Sequence, residues 1–107
     1  MRVENMVSPR TGREVANQFI ITADGMVAFQ SYASEIITIN YNTNEVLIGK
    51  DWDYSMTTGK YRNAFLAEYF PQLASLDAIR ACKEMADENG ETLFVDKRGN
   101  MWKIIFR

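Results

Sequence analysis

Phe19-Ile20-Ile21-Thr22-Ala23-Asp24-Gly25-Met26-Val27-Ala28-Phe29 reads as two β-strands joined by a tight turn. The flanks are β-branched and aromatic, and the Asp24-Gly25 pair accepts the positive φ that a two-residue hairpin demands. Val27 and Phe29 share one face of the returning strand. The next stretch repeats the logic: Glu35-Ile36-Ile37-Thr38-Ile39-Asn40-Tyr41 sets Ile37 and Ile39 on one side, Ile36 and Thr38 on the other. Asn42-Thr43-Asn44 makes a turn and Glu45-Val46-Leu47-Ile48 runs back. Four short strands between residues 17 and 50 therefore read as an antiparallel meander.

Beyond residue 50 the apolar period shifts from two to 3.6. Thr57 or Thr58 is the expected cap of a helix whose apolar stripe is Tyr61, Phe65, Leu66 and Tyr69, with Arg62, Asn63 and Glu68 off it. Pro71 stops this helix by driving Phe70 out of the α region. Ser75 caps a second helix, with Asp77 in its first turn, where the helix dipole favours an anion. Its stripe is Leu76, Ile79, Cys82, Met85 and Ala86, and Asn89-Gly90 is the expected close. The two helices take residues 57–89.

A hairpin follows over 91–107: Thr92-Leu93-Phe94-Val95, a turn at Lys97-Arg98-Gly99-Asn100, then Met101 to Phe106. At the other end, residues 1–16 are expected to form an irregular segment with a turn at Ser8-Pro9-Arg10-Thr11-Gly12-Arg13. The fold class is then α+β, one domain over 1–107 in the order ββββααββ. Both helices pack on one face of an antiparallel sheet, and the other face stays partly open.

Composition agrees with a packed domain. Of 107 residues, 47% are hydrophobic and 24% charged, the opposite of a disordered chain. A formal net charge of -2 argues against a protein that coats nucleic acid by bulk electrostatics. The charge is uneven, with Arg2, Arg10 and Arg13 near the start and Lys97, Arg98, Lys103 and Arg107 near the end. Asp77, Glu84, Asp87 and Glu88 make the stretch before that end acidic. Cys82 is the only cysteine, so no intramolecular disulfide forms, and its place on an apolar stripe marks a small buried hydrophobe. Apolar runs are too short for a signal sequence or a membrane span, which sets the expectation of a protein in the host-cell cytoplasm, away from membranes.

The chain has no histidine. That removes the usual general base, the Ser-His and Cys-His nucleophile pairs and the commonest metal ligand. No glycine-rich phosphate loop is present. Asp51 and Asp53 are two apart and would share a strand face, as a hydrolase pair or a magnesium site requires. Lys50 beside them and the capping role open to Asp53 suit a structural reading equally. The expectation is no catalysis, no cofactor and no metal.

The most distinctive stretch runs from Asp51-Trp52-Asp53-Tyr54-Ser55-Met56 through Thr57-Thr58-Gly59-Lys60-Tyr61-Arg62. In a structural reading Trp52 is a lid on the core, Tyr61 packs beneath it and the hydroxyls satisfy the helix start. In a functional reading Trp52, Tyr54, Lys60, Tyr61 and Arg62 form a partner-binding surface, aromatic and cationic, at a helix N-terminus. The two readings can coexist.

Two blocks, Ser8-Pro9-Arg10-Thr11-Gly12-Arg13-Glu14-Val15-Ala16-Asn17-Gln18-Phe19 and Trp52-Asp53-Tyr54-Ser55-Met56-Thr57-Thr58-Gly59-Lys60-Tyr61-Arg62, carry a resemblance, as does Phe29-Gln30-Ser31-Tyr32 between them. They resemble small uncharacterised proteins encoded on phages and conjugative elements of Gram-positive bacteria. The resemblance covers the first two-thirds of the chain. Some proteins of that size and habitat are anti-CRISPR inhibitors, which bind a CRISPR effector nuclease and block its nucleic-acid path. The resemblance thus implies a non-catalytic interaction protein of a mobile genetic element, with a type II CRISPR effector nuclease, or its guide-RNA complex, as the first expected partner and another host factor as the alternative. The alternative is a nucleic-acid-binding accessory protein of a phage or plasmid, using the open sheet face, Trp52, Tyr54, Lys60, Arg62 and the basic last hairpin. A homodimer is a further option, because uncovered strand edges invite pairing.

Overall fold

The computed structural model describes residues 1–107. Seven strands form one sheet: β1 (Arg2–Val7), β2 (Glu14–Ala23), β3 (Met26–Ser31), β4 (Ser34–Asn40), β5 (Glu45–Ile48), β6 (Glu91–Val95) and β7 (Met101–Phe106). Two helices, α1 (Met56–Tyr69) and α2 (Leu76–Met85), lie between β5 and β6, joined through a 3-10 turn at Pro71–Leu73. The α+β class, with strands, then two helices, then a hairpin, is as the sequence pattern implies.

The N-terminal segment departs from expectation. Residues 1–16 are not irregular: β1 pairs with β2, Arg2 opposite Thr22 and Val3 opposite Ile21, so the meander has five strands rather than four. Ser8–Arg13 is the connecting turn, closed by Ser8 N–H to the Arg13 carbonyl at 2.8 Å. The polar alternation Arg2-Val3-Glu4-Asn5 is a weak local strand signal. Its edge position asks for no more, because β2 supplies the template and a bulge between Asn5 and Val7 ends the regular pairing.

The Asp24-Gly25 hairpin forms as read, with Gly25 at φ 70° and its Cα packed against the Asn42 side chain, where a Cβ would not fit. The last hairpin enters the sheet differently from a simple extension. Strand order is β1-β2-β3-β4-β5-β7-β6, so β7 slots beside β5 in the one parallel pairing and β6 becomes the far edge.

The core lies on one sheet face. Phe29 of β3 stacks on Phe65 of α1 with ring centroids 5.9 Å apart, and Phe70, just past α1, meets Trp102 of β7 at 5.1 Å. Ile79 of α2 is fully buried in the same cluster. The helix starts and stops follow local chemistry, with two corrections. Ser55, not Thr57 or Thr58, caps α1, its hydroxyl accepting the Thr58 N–H at 3.1 Å. Ser75 caps α2 as expected, but α2 ends at Met85 rather than at Asn89-Gly90. There the Asp87 carboxylate accepts the Asn89 and Glu91 N–H groups at 2.8 and 3.1 Å and turns the chain into β6.

The opposite sheet face carries no helix. The pairing registers place Val3, Ile21, Ala28, Thr38, Leu47 and Ile105 side by side across six strands. Five of these six side chains are apolar. At the far edge Leu93, Val95 and Met101 add exposed apolar area on the same face.

Candidate functional site

The junction from β5 to α1 is built from turns. Trp52 N–H bonds the Gly49 carbonyl and Tyr54 N–H the Asp51 carbonyl, both at 3.1 Å. This coil turns Trp52 inward, where it is 8% exposed, and leaves Tyr54 outward at 71%. Arg62 lies one and a half turns into α1 on its buried face and is 2% exposed, although the apolar stripe read from sequence excluded it.

The Arg62 guanidinium is spent internally. Nη1 donates to the Trp52 carbonyl at 2.7 Å, while Nε and Nη2 donate to Asn63 Oδ1 at 3.1 and 3.0 Å. Its carbon sits 5.4 Å from the Trp52 ring centroid and its Nη1 lies 3.7 Å from the Asp53 carboxylate. Burial pushes the Arg62 pKa below its ordinary value, and Asp53 opposes the shift. From α2, Lys83 places its ammonium 5.9 Å from the same ring, and Arg80 reaches Asp53 at 3.9 Å. The junction is thus a clasp between α1, α2 and the loop.

The five residues expected to form one partner-binding surface are therefore divided. Trp52, Tyr61 and Arg62 are buried, while Tyr54 and Lys60 are exposed. Lys60 lies over the Tyr61 ring at 5.5 Å. The sequence order placed them together, but helical geometry turned Arg62 and Tyr61 inward and Lys60 outward. Asp51 and Asp53 are divided in the same way: Asp51 accepts the Ser34 hydroxyl at 3.1 Å, whereas Asp53 faces Arg62 and Arg80. No group of three or more His, Cys, Asp or Glu side chains is close enough to hold a metal ion.

Next to Tyr54 the chain forms a cleft of about 640 Å³ with a hydroxyl-rich wall. Ser31 and Thr58 are buried and share a hydrogen bond of 2.9 Å, and the Ser55 hydroxyl donates to Thr58 at 3.1 Å. Tyr32, at φ 55°, makes the β3–β4 turn over this cleft. Behind it, opposite Ser31 in the β2–β3 register, Gln18 is fully buried with neither its amide nitrogen nor its oxygen hydrogen-bonded. Sequence reading missed Gln18 and Ser31, since nothing in a one-dimensional pattern shows that a polar strand position faces a helix.

The second surface is the helix-free sheet face. It spans seven strands, about 29 Å at the usual inter-strand spacing of about 4.8 Å. Along it Val3, Leu93, Val95 and Met101 are exposed, Ile21, Leu47 and Ile105 are half-buried, and Ala28 and Thr38 are buried.

No helix is long and apolar enough to cross a membrane. No curated protein and no solved structure matches the chain. Residues 1–88, through α2 and short of the last hairpin, match a family of unknown function, DUF8033. The chain belongs to that family.

Proposed function

We propose that this chain is a non-catalytic interaction protein that seats a protein partner on the helix-free face of its sheet. The carrying observation is the row Val3, Ile21, Leu47 and Ile105, which the strand registers align on the helix-free face beside buried Ala28 and Thr38, with exposed Leu93, Val95 and Met101 at its far edge. A largely apolar strip about 24 Å long across six strands, with polar flanks, has the anatomy of an interface centre and rim. Catalysis has little support, because the chain lacks histidine and its two neighbouring aspartates are engaged apart from each other.

The partner we propose is a type II CRISPR effector nuclease, met in the cytoplasm of the host of a mobile genetic element. That choice rests on the resemblance of the Ser8–Phe19 and Trp52–Arg62 blocks, and the open face supplies a means of stoichiometric inhibition. The test is co-purification with the nuclease together with a DNA-cleavage assay, using wild type, Ile21→Lys and Leu47→Lys. Wild type should co-purify and suppress cleavage, and both variants should lose both effects while keeping their circular dichroism. Undiminished cleavage at large excess of wild type overturns the partner. Retained inhibition by both variants overturns the face.

The alternative of a nucleic-acid-binding accessory protein has weaker support. Its stacking and phosphate contacts would need Trp52 and Arg62 at the surface, and both are buried.

A further inference from the structure

The two edges of the sheet are not alike. At β1 the edge carries Arg2 and Glu4, bonded to each other at 3.2 Å, and a bulge interrupts it between Asn5 and Val7. Charges and bulges are the usual devices that keep an edge from pairing with another chain. At β6 the pairing with β7 runs without a register shift, and the centre of the strand is Thr92-Leu93-Phe94-Val95, with no charge and no proline. Leu93 is 59% exposed and Val95 57%. One edge is guarded and the other is not.

The free backbone groups of β6 can be identified by parity. The Gly90 carbonyl accepts from Phe106 N–H at 2.8 Å, and Asp96 N–H donates to the Asn100 carbonyl at 2.9 Å. Even-numbered residues therefore turn their backbone groups toward β7, and odd-numbered ones turn theirs out. At Glu91 the outward groups are already used, its carbonyl by Asp87 N–H at 2.9 Å and its N–H by the Asp87 carboxylate at 3.1 Å. Leu93 and Val95 remain, each with an outward N–H and an outward carbonyl.

We infer that β6 pairs antiparallel with β6 of a second copy of this chain, on a two-fold axis through Phe94. This register sets Leu93 of each copy opposite Val95 of the other, and each such pair exchanges two backbone hydrogen bonds. Every free outward group of both copies is then satisfied. The same register brings apolar Leu93 against Val95 on the open face and Phe94 against Phe94 on the helix face. It also brings Glu91 of each copy, which its own Lys103 holds at 3.4 Å, toward the turn of the other copy that carries Lys97 and Arg98, twice by symmetry. Moving the axis to Leu93 would instead oppose Val95 to Glu91, whose groups are taken, and would halve the bonds. Hydrogen bonding, apolar matching and charge thus select one register. The guarded β1 edges then end the joined sheet, so the assembly closes as a dimer rather than growing into a fibre. This inference does not depend on the partner proposed above.

The test is sedimentation velocity of the full chain over a concentration series, comparing wild type with Leu93→Lys, Lys97→Glu and the double variant Glu91→Lys/Lys97→Glu. Wild type should shift with concentration from the 12.3 kDa monomer to a species of twice that mass. Leu93→Lys and Lys97→Glu should raise the dissociation constant by about tenfold or more, and the charge-swapped double variant should recover most of the loss relative to Lys97→Glu. Circular dichroism on each variant checks that the fold is kept, and recovery in the double variant cannot arise from unfolding. A wild type that stays monomeric at millimolar concentration overturns the inference. So does a dimer indifferent to all three variants.

Discussion

Arg62 Nη1 lies 2.7 Å from the carbonyl oxygen of Trp52, ten residues earlier, and this bond closes the junction between the meander and the first helix. It joins a buried cation to a backbone acceptor that no other group serves, with the Trp52 ring and the Asp53 carboxylate completing the cation's surroundings.

Replacing Arg62 should therefore cost far more than a surface arginine would. Arg62→Met keeps the length of the stem but leaves the Trp52 carbonyl buried without a donor, an omission worth about 1–3 kcal/mol on its own. With the lost ring contact, urea denaturation should report a destabilisation of about 2–4 kcal/mol. Arg62→Lys should rescue little, because a point charge cannot serve Trp52 and Asn63 at once. A loss under about 0.5 kcal/mol, the range of ordinary surface positions, would show that the clasp is not structural.

Gln18 points the other way. Its amide is fully buried and makes no hydrogen bond, so the folded state carries a desolvation cost with no return. Gln18→Met, of similar length, should stabilise the protein by about 1 kcal/mol, read as a rise in melting temperature of about 4–8 °C. A fall of the same size would mean that a bound water or another group serves the amide.

Ser55 alone caps α1, through its bond to the Thr58 N–H, and its hydroxyl also donates to Thr58 Oγ1. Ser55→Ala should cost about 1 kcal/mol and Ser55→Asp should restore it, since a carboxylate caps as well and suits the positive end of the helix dipole. Thr57→Ala, one position inside the helix, should be close to neutral in the same melts. Equal losses at both positions would contradict the assignment of the cap.

Asp96 sets an acid limb. Partial burial works to raise its pKa, but donors from Asn100 N–H, the Trp102 indole and Arg98 N–H outweigh it, and the carboxyl is held below its ordinary value. A depressed native pKa favours folding in full above the unfolded carboxyl's pKa of about 3.9, and the benefit fades as pH falls through the lower native value. The urea midpoint of wild type should thus drop more steeply below about pH 4 than that of Asp96→Asn. Parallel curves would remove Asp96 from the acid response.

The sequence by itself determined the meander, the two helices and the last hairpin, because those features rest on short-range rules. Gly25 admits positive φ, Ser75 caps and Pro71 stops a helix, while Ile37 and Ile39 share a face as read, although the register shift beside Ile36 brings that residue into the core with them. Whatever depends on pairing between distant segments was decided only by the tertiary structure. β1 became a strand because β2 offered it hydrogen-bond partners, and β7 rather than β6 took the place beside β5. For the candidate site the difference was sharper. The stretch from Trp52 to Arg62 was legible as distinctive, yet its most conspicuous members turned inward, because the bend after Gly49 and the rotation of α1 set direction while composition does not. The row from Val3 to Ile105 had no sequence signature at all, since its members lie on six strands and meet only once those strands are in register.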